Sequence, residues 1–190
     1  MVSPELLTPY PVTLAGVTRQ LPRVEIAPGV VIAILNILGD TELTEAVAQA
    51  LVDRLPAGAE FLAVPEAKAI PLCYAMSVKS WLPYCVLRKS FKAYMAGSLS
   101  EDVHSITTGV PQTLWLDGKD VLRMQGKRVV LVDDVISTGG TLRGASKLLE
   151  RAGATVMASC AIMTEGDSAA WSQVISLGNL PVWHQPQPEE

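Results

Sequence analysis

The sequence predicts an α/β protein with a central, mostly parallel twisted sheet flanked by helices. Short apolar runs alternate along the chain with segments of helical periodicity, as in parallel strands joined by crossover helices. The run Val129–Val132 is continuously apolar, which is typical of a parallel strand covered on both faces.

Each predicted element has a local signal. Asp40 or Thr41 can cap a helix to about residue 55, because its apolar residues fall on one face. The first 23 residues, rich in Pro and Thr, predict a hairpin or a lid, Asp117-Gly118 predicts a turn, and residues 90–112 predict a long loop. Strands are predicted at 30–35, 61–64, 83–87, 113–116, 128–132 and 155–163, and further helices from about 65 to 78 and 140 to 152.

Composition limits the classes of function. The 190 residues suit one domain over 1–190, and 49 % hydrophobic residues indicate a globular chain. A formal charge of −4 argues against nucleic acid as a partner, and no apolar run is long enough to cross a membrane. Cys73, Cys85 and Cys160 lack metal-ligand spacing, which predicts reduced, mostly buried thiols in a cytoplasmic protein.

The segment Lys127–Leu142, K-R-V-V-L-V-D-D-V-I-S-T-G-G-T-L, carries the strongest chemical signal. An apolar strand leads into Asp133 and Asp134, and the loop Ser137–Thr141 then opens a helix. Glycines let the backbone approach a ligand, and free N–H groups at a helix start attract phosphate. Adjacent carboxylates can hold two ribose hydroxyls, so the segment predicts a sugar-phosphate site at the carboxyl edge of the sheet. The alternative is that the acids cap a turn and the glycines end a strand.

This segment closely resembles, without a gap, the phosphoribosyl diphosphate (PRPP) signature of the type I phosphoribosyltransferases, and the resemblance extends over roughly 24–165. It implies that family's fold, with a small hood from about 1–40 and 164–185 and a mobile loop at about 90–112. Asp133 and Asp134 would bind the ribose hydroxyls, directly or through magnesium-bound water. The ribose phosphate would be cradled by Ser137, Thr138, Gly139, Gly140 and Thr141.

Leu87-Arg88-Lys89-Ser90-Phe91-Lys92 resembles the R-K-x-x-K string of adenine and xanthine enzymes, which lies before their mobile loop. The resemblance implies that Arg88, Lys89 and Lys92 reach the diphosphate, sometimes from the neighbouring subunit of a dimer, and that Lys89 takes part in catalysis. Cations stabilise the charge that develops on a departing diphosphate. An ordinary exposed basic strand end is the alternative.

The segment Val64–Ile70 resembles the family's diphosphate loop, E-A-x-G-I. Glu66, Ala67 and Lys68 would therefore lie against the diphosphate. Ala69 stands where the glycine is expected, and alanine tolerates positive φ poorly, so the loop is predicted to bend differently or to bind diphosphate less well. The charge of Lys68 can compensate.

Three residues form the predicted purine site: Asn36, Val135 and Ile136. Asn36 resembles the asparagine with which xanthine enzymes contact the base, and an amide offers both a donor and an acceptor; a helix-entry residue is the alternative. The segment 163–166, Met-Thr-Glu-Gly, lacks the lysine of xanthine enzymes. Trp171 is the best candidate for stacking on the base.

The resemblance, which includes adenine, xanthine and archaeal hypoxanthine/guanine enzymes, predicts a magnesium-dependent purine phosphoribosyltransferase of purine salvage. Adenine is slightly favoured, and the choice among the four purines stays open. Mg²⁺ would be held mainly by substrate oxygens and water, and the protein would be a cytoplasmic homodimer without nucleic-acid or membrane partners. Ser137 occupies the position of a third acid in hypoxanthine–guanine enzymes, which leaves Glu101 or Asp102 as weak candidates for a general base. His104 is a candidate substrate contact.

Two alternatives stay open. Ala69 favours a non-catalytic regulatory protein that binds PRPP or a nucleotide on the same fold. A pyrimidine enzyme of the same superfamily is the other alternative, and the R-K-x-x-K and E-A-x-x-I strings make it the weaker one.

Overall fold

The computed structural model describes residues 8–103 and 112–184. Its helices are α1 (Thr41–Val52), α2 (Ile70–Ser80), α3 (Gly118–Met124) and α4 (Gly140–Arg151), and a 3-10 helix covers Ser168–Trp171. Its strands are β1 (Tyr10–Leu14), β2 (Val17–Leu21), β3 (Arg23–Ala27), β4 (Val30–Ala33), β5 (Phe61–Pro65), β6 (Tyr84–Leu87), β7 (Leu99–Val103), β8 (Gln112–Leu116), β9 (Arg128–Ile136), β10 (Thr155–Glu165), β11 (Ile175–Ser176), β12 (Asn179–Leu180) and β13 (Val182–His184).

A six-stranded parallel sheet lies at the centre, in the order β11-β10-β9-β5-β6, with β12 also paired to β10. The long ladder between β9 and β10 carries the strand that precedes the phosphate loop. Because the strands are parallel, the carboxyl ends of β5, β6, β9 and β10 meet at one edge. The predicted α/β class is confirmed.

Successive apolar side chains of the central strands point to opposite faces of the sheet, so both faces are apolar. Val130 and Val132 belong to the core cluster that includes α1 and α2, whereas Val129 and Leu131 belong to the cluster that includes α4. All four are essentially inaccessible to solvent. This period of two in a continuously apolar strand is what a sheet with helices on both faces requires.

Antiparallel strands from both ends of the described chain form the predicted hood. β4 lies between β3 and β13, and β1 and β2 form a separate hairpin. The guanidinium of Arg23 lies 4.3 Å from the ring centroid of Trp183, which itself packs edge-on against Tyr10. These contacts join the N-terminal and C-terminal parts of the hood.

Two predictions about the middle of the chain are wrong. Leu99–Val103, within the predicted loop 90–112, is strand β7 and pairs antiparallel with β8; residues 104–111, including His104, lie outside the described residues. The apolar residues of β7, Leu99 and Val103, stand four positions apart. The sequence therefore contains no apolar run that would indicate this strand. Asp117-Gly118 does not form the predicted turn but starts helix α3. The Asp117 side chain accepts a hydrogen bond from Lys119 N and caps this helix.

The three cysteines are free and buried, as predicted. Burial raises the pKa of the Cys160 thiol to about 12 and that of the Cys85 thiol to well above its ordinary value. No helix in the described part of the chain is long and apolar enough to cross a membrane.

Asp40 ties the β1–β2 hairpin to α1, and its loss should destabilise the protein. Its carboxylate accepts a hydrogen bond from Leu43 N at 3.1 Å and pairs with Arg19 Nε at 2.7 Å and Nη2 at 2.9 Å. We expect Asp40→Ala to lower the free energy of unfolding by about 1 kcal/mol through the lost helix cap. Asp40→Asn keeps a capping oxygen and should cost less, as measured by urea denaturation at pH 7.

The same pair gives a pH dependence. Arg19 holds the pKa of Asp40 below its ordinary value of 3.8. The ionised Asp40 therefore contributes to the free energy of unfolding at neutral pH, and this contribution is lost as pH falls through the lowered pKa. The difference in free energy of unfolding between the wild type and Asp40→Asn should therefore disappear in strong acid. Equal destabilisation by Asn and Ala would show that the cap contributes nothing.

Candidate functional site

The predicted phosphate loop forms a small cavity between β9 and α4. The cavity has a volume of about 130 Å³ and is lined by Asp133 and residues 135–142. Gly139 caps α4 in the left-handed conformation, with φ of +71°. The loop therefore places the first N–H groups of a twelve-residue helix beside the cavity, which is the arrangement that attracts an anion.

The acidic pair lies within β9, not after the strand as predicted. β9 continues to Ile136, and Asp133 and Val135 pair in register with Ala161 and Met163 of β10. Successive side chains of a strand point to opposite faces. Accordingly, Asp133 lines the phosphate cavity, whereas Asp134 lines a second, larger cavity.

The two carboxylates have different electrostatic surroundings. Burial raises the pKa of Asp133 above its ordinary range, and the neighbouring charge of Asp134 raises it further. Asp134 N donates to Asp133 Oδ1 at 2.9 Å, and Lys68 Nζ lies 2.8 Å from Asp134 Oδ2. The pair is therefore poised to gain from a hydroxyl donor or a cation, since either would offset the cost of two close negative charges.

The second cavity, which we call the hood cavity, lies between the hood and the end of the sheet. It has a volume of about 590 Å³. Most of its lining is apolar, and the polar side chains among its lining residues are Lys68, Asp134, Ser137 and Glu165. Val135 and Ser137 line both cavities, so the two spaces adjoin at the loop. A mostly apolar cavity with a few polar groups is typical of a small-molecule site.

The backbone at Ala69 does not take the positive φ that a glycine allows. Ala69 has φ of −82° and ψ of −2°, an ordinary right-handed conformation, and it is buried directly before α2. Ala67 and Lys68 are exposed, and the peptide bond between Glu66 and Ala67 is cis. The helix predicted to start near residue 65 begins at Ile70, with Pro71 in its first turn.

Three of the predicted diphosphate residues, Glu66, Arg88 and Lys89, meet at the ends of β5 and β6. Glu66 Oε2 accepts a hydrogen bond from Lys89 N at 2.8 Å, and Glu66 Oε1 lies 3.2 Å from Arg88 Nε. The hydrogen bond from Lys89 N lowers the pKa of Glu66 most, and the hydrogen bond from Arg88 lowers it further. Glu66 and Arg88 are thus tied to each other, whereas Lys89 and Lys92 have no ion pair within the described ranges.

Several residues predicted at the site do not line the hood cavity. Asn36 is exposed, and its Oδ1 accepts from Leu38 N at 3.2 Å, which fits the helix-entry alternative. Trp171 packs beside Gly139 and Ile136, where it supports the phosphate loop. Glu101 pairs with Lys147 and Arg151, and Asp102 accepts a hydrogen bond from Thr113, which occupies both candidate bases. Ile136 lines the phosphate cavity and not the hood cavity.

Sequence reasoning missed the residues that complete the hood cavity. The sequence analysis noted only that the segment containing Glu165 lacks the lysine of xanthine enzymes. It assigned no role in the cavity to the apolar lining residues Ile26, Ile32, Ile34 and Val182. The position of Glu165 at the end of a core strand was the available signal, because such ends meet at the binding edge of the sheet.

The fold and the two adjoining cavities define an α/β protein with a candidate ligand site at the carboxyl edge of its sheet. A model of the phosphoribosyl transferase domain matches residues 41–174, and the chain belongs to this family.

Relatives agree with this assignment, and a solved structure agrees with the fold. The chain is 34 % identical over 127 residues to a hypoxanthine/guanine phosphoribosyltransferase of Methanococcus voltae, which covers 67 % of this chain and 64 % of that one. It is 31 % identical over 185 residues to an adenine phosphoribosyltransferase of Mycobacterium avium, covering 92 % and 93 %. A crystal structure of adenine phosphoribosyltransferase from Thermoanaerobacter pseudethanolicus has a TM-score of 0.65 at 21 % identity, covering 92 % and 98 %.

The archaeal matches are partial. This chain spans 64 % of the length of the Methanococcus voltae protein and 50 % of each of two further archaeal hypoxanthine/guanine phosphoribosyltransferases. The structural likeness, at 21 % identity, shows the fold alone.

Proposed function

We propose that this protein is a purine phosphoribosyltransferase, which transfers the phosphoribosyl group of PRPP to a free purine in purine salvage. The observation that carries the proposal is the corner at Asp133, Asp134 and 137–141, which adjoins two cavities of different chemistry. The small cavity suits a phosphate group, and the large apolar one suits a planar base. The ribose would join them, with its hydroxyls at the carboxylates.

The binding roles follow from charge and position. Backbone N–H groups at 137–141 and the hydroxyls of Ser137, Thr138 and Thr141 would hold the ribose phosphate. Lys68, Lys89 and Lys92 would face the diphosphate. Glu66 would act indirectly by holding Arg88 and the backbone of Lys89.

The acidic pair fits a magnesium ion, because carboxylate oxygen is a ligand that Mg²⁺ prefers. Among residues 8–103 and 112–184, no three His, Cys, Asp or Glu side chains converge as a metal site. Asp133 and Asp134 would help to hold the ion, directly or through water, and PRPP would supply most of the remaining ligands. Bound magnesium would neutralise charge on the departing diphosphate.

The reaction itself is a substitution at the anomeric carbon. A bond forms from a purine ring nitrogen to that carbon, and the bond to diphosphate breaks, with diphosphate keeping the electron pair. The proton of the ring nitrogen passes to solvent. Positive charge develops on the sugar, so the protein contributes positioning, charge stabilisation and exclusion of water by the apolar hood cavity.

A cytoplasmic homodimer is part of the proposal. Lys89 is exposed and Lys92 is half-buried, which leaves both side chains available to an anion in the same or a neighbouring subunit. The resemblance of 87–92 to the R-K-x-x-K string supports such sharing.

The regulatory alternative is disfavoured by the likeness to the Mycobacterium avium enzyme, which extends over 92 % of this chain. Among the purines, adenine is favoured by the extent of the likeness to the Mycobacterium avium enzyme.

The test is to incubate the protein with PRPP and Mg²⁺ plus adenine, guanine, hypoxanthine, xanthine or orotate, and to detect the matching nucleotide by chromatography. Conversion of a purine supports the proposal. Conversion of orotate alone would replace it with the pyrimidine alternative. A rise in melting temperature with PRPP and Mg²⁺, without conversion of any base, would favour the regulator.

A further inference from the structure

The hood cavity contains one carboxylate that the proposed binding of phosphate, ribose and diphosphate does not use. Glu165 is half-buried at the last position of β10 and lines the cavity together with apolar side chains such as Ile32, Ile34 and Val182. The other acid in the lining, Asp134, is already paired with Lys68.

The backbone at Glu165 is held from two sides. Glu165 pairs in register with Leu180 of β12, and its carbonyl oxygen accepts a hydrogen bond from Trp171 Nε1 at 3.3 Å. The preceding residue, Thr164, pairs with Ile136 in β9, so Glu165 lies one residue beyond the end of the acidic strand. The fold thus fixes the backbone of Glu165 at the hood cavity, which Asp134 of the proposed ribose site also lines.

The carboxylate of Glu165 has no hydrogen bond or ion pair with any other described residue. An ionised carboxylate only accepts hydrogen bonds. A partly buried acceptor among apolar side chains gains most from a ligand that brings a donor, and it is penalised when the ligand brings a second acceptor.

We propose that Glu165 is a specificity-determining residue that accepts a hydrogen bond from an exocyclic amino group of the base. It therefore selects amino-substituted purines, adenine or guanine, over hypoxanthine and xanthine, which have no exocyclic amino group. This inference rests on the proposed function in one respect, the assignment of the hood cavity to the base.

The test measures nucleotide binding by calorimetry, which does not depend on turnover. We expect the wild type to bind AMP or GMP about tenfold to a hundredfold more tightly than IMP, the range for one hydrogen bond to a charged group. Glu165→Ala should bring this ratio close to one. Glu165→Gln should also strengthen IMP binding, because its amide adds a donor for the carbonyl oxygen of the base.

Glu150→Gln is the matched control, since Glu150 is an exposed glutamate of α4 that lines neither cavity. It should leave all the ratios unchanged. The inference is overturned if IMP binds as tightly as AMP and GMP, if Glu165→Ala keeps the preference, or if no nucleotide binds. The proposed function fails separately: selective nucleotide binding without conversion of any base would remove the enzyme and leave Glu165 as the selector.

Discussion

Asp133→Asn is expected to lower kcat/KM by about a hundredfold to a thousandfold, the usual cost of removing one preorganised electrostatic group from a site. Its free energy of unfolding should stay the same or rise. Burial and the adjacent Asp134 make the charge on Asp133 unfavourable in the free protein, as its raised pKa indicates. A neutral amide of the same shape removes that cost but binds the ribose hydroxyls and hydrated magnesium less well. Steady-state kinetics and urea denaturation measure the two effects.

Asp120→Asn is a control for the loss of an aspartate charge, because Asp120 is buried and lines neither of the two cavities of the site. Its carboxylate pairs with Arg123 at 2.8 Å, so its loss should lower stability and leave kcat/KM unchanged. If Asp133→Asn kept full activity, or lost activity only in proportion to lost folded protein, the ribose site would be assigned to the wrong residues.

The dependence on pH gives an independent check. A carboxyl with a raised pKa in the folded state holds its proton more tightly there than in the unfolded chain. Stability contributed by Asp133 is therefore lost as pH rises above the ordinary value of 3.8 towards the raised pKa. Asp133→Asn should remove this decline, so the variant should gain on the wild type as pH rises to neutrality.

Local chemistry made the phosphate corner predictable. The strand, the two acids, the glycine turn and the helix start lie within one continuous segment, 127–142, and each has its own sequence signal. The structure brings them together without help from distant residues, apart from the support that Trp171 gives Gly139. Only the end of the strand was misplaced, since Asp133 and Asp134 stay in the ladder with β10 although charged residues usually end a buried strand.

The hood cavity was not predictable in the same way. Its walls come from β3, β4, β9, β10 and β13, which are far apart in the chain. Which side chains of an antiparallel hood face a cavity depends on register, and a shift of one residue reverses every side chain. Asn36 illustrates the limit: it follows β4 closely, yet its side chain bonds to Leu38 N instead of lining the cavity. Helix α3 was missed because an Asp-Gly pair favours a turn and a helix cap alike.

Gly139→Ala is the second substitution with a large expected effect. Gly139 has φ of +71°, which costs a residue with a side chain about 1–2 kcal/mol. A methyl group there would also lie 2.6 Å from Trp171 Cη2 and 2.9 Å from Arg143 Nη1, so the indole or the loop must move. We expect a loss of about 2–4 kcal/mol in unfolding free energy and, because the phosphate loop shifts, about a hundredfold loss in kcat/KM.

Gly126→Ala separates the two causes. Gly126 has nearly the same φ, +70°, but an added methyl group would meet no atom within 4 Å. This variant should therefore lose only the backbone contribution and keep full activity. Adding Trp171→Ala to Gly139→Ala should recover activity in part if the indole is the obstacle. Equal losses of stability in Gly139→Ala and Gly126→Ala, both with unchanged kinetics, would mean that Trp171 does not hold the loop and that the loop geometry is not critical for the phosphate.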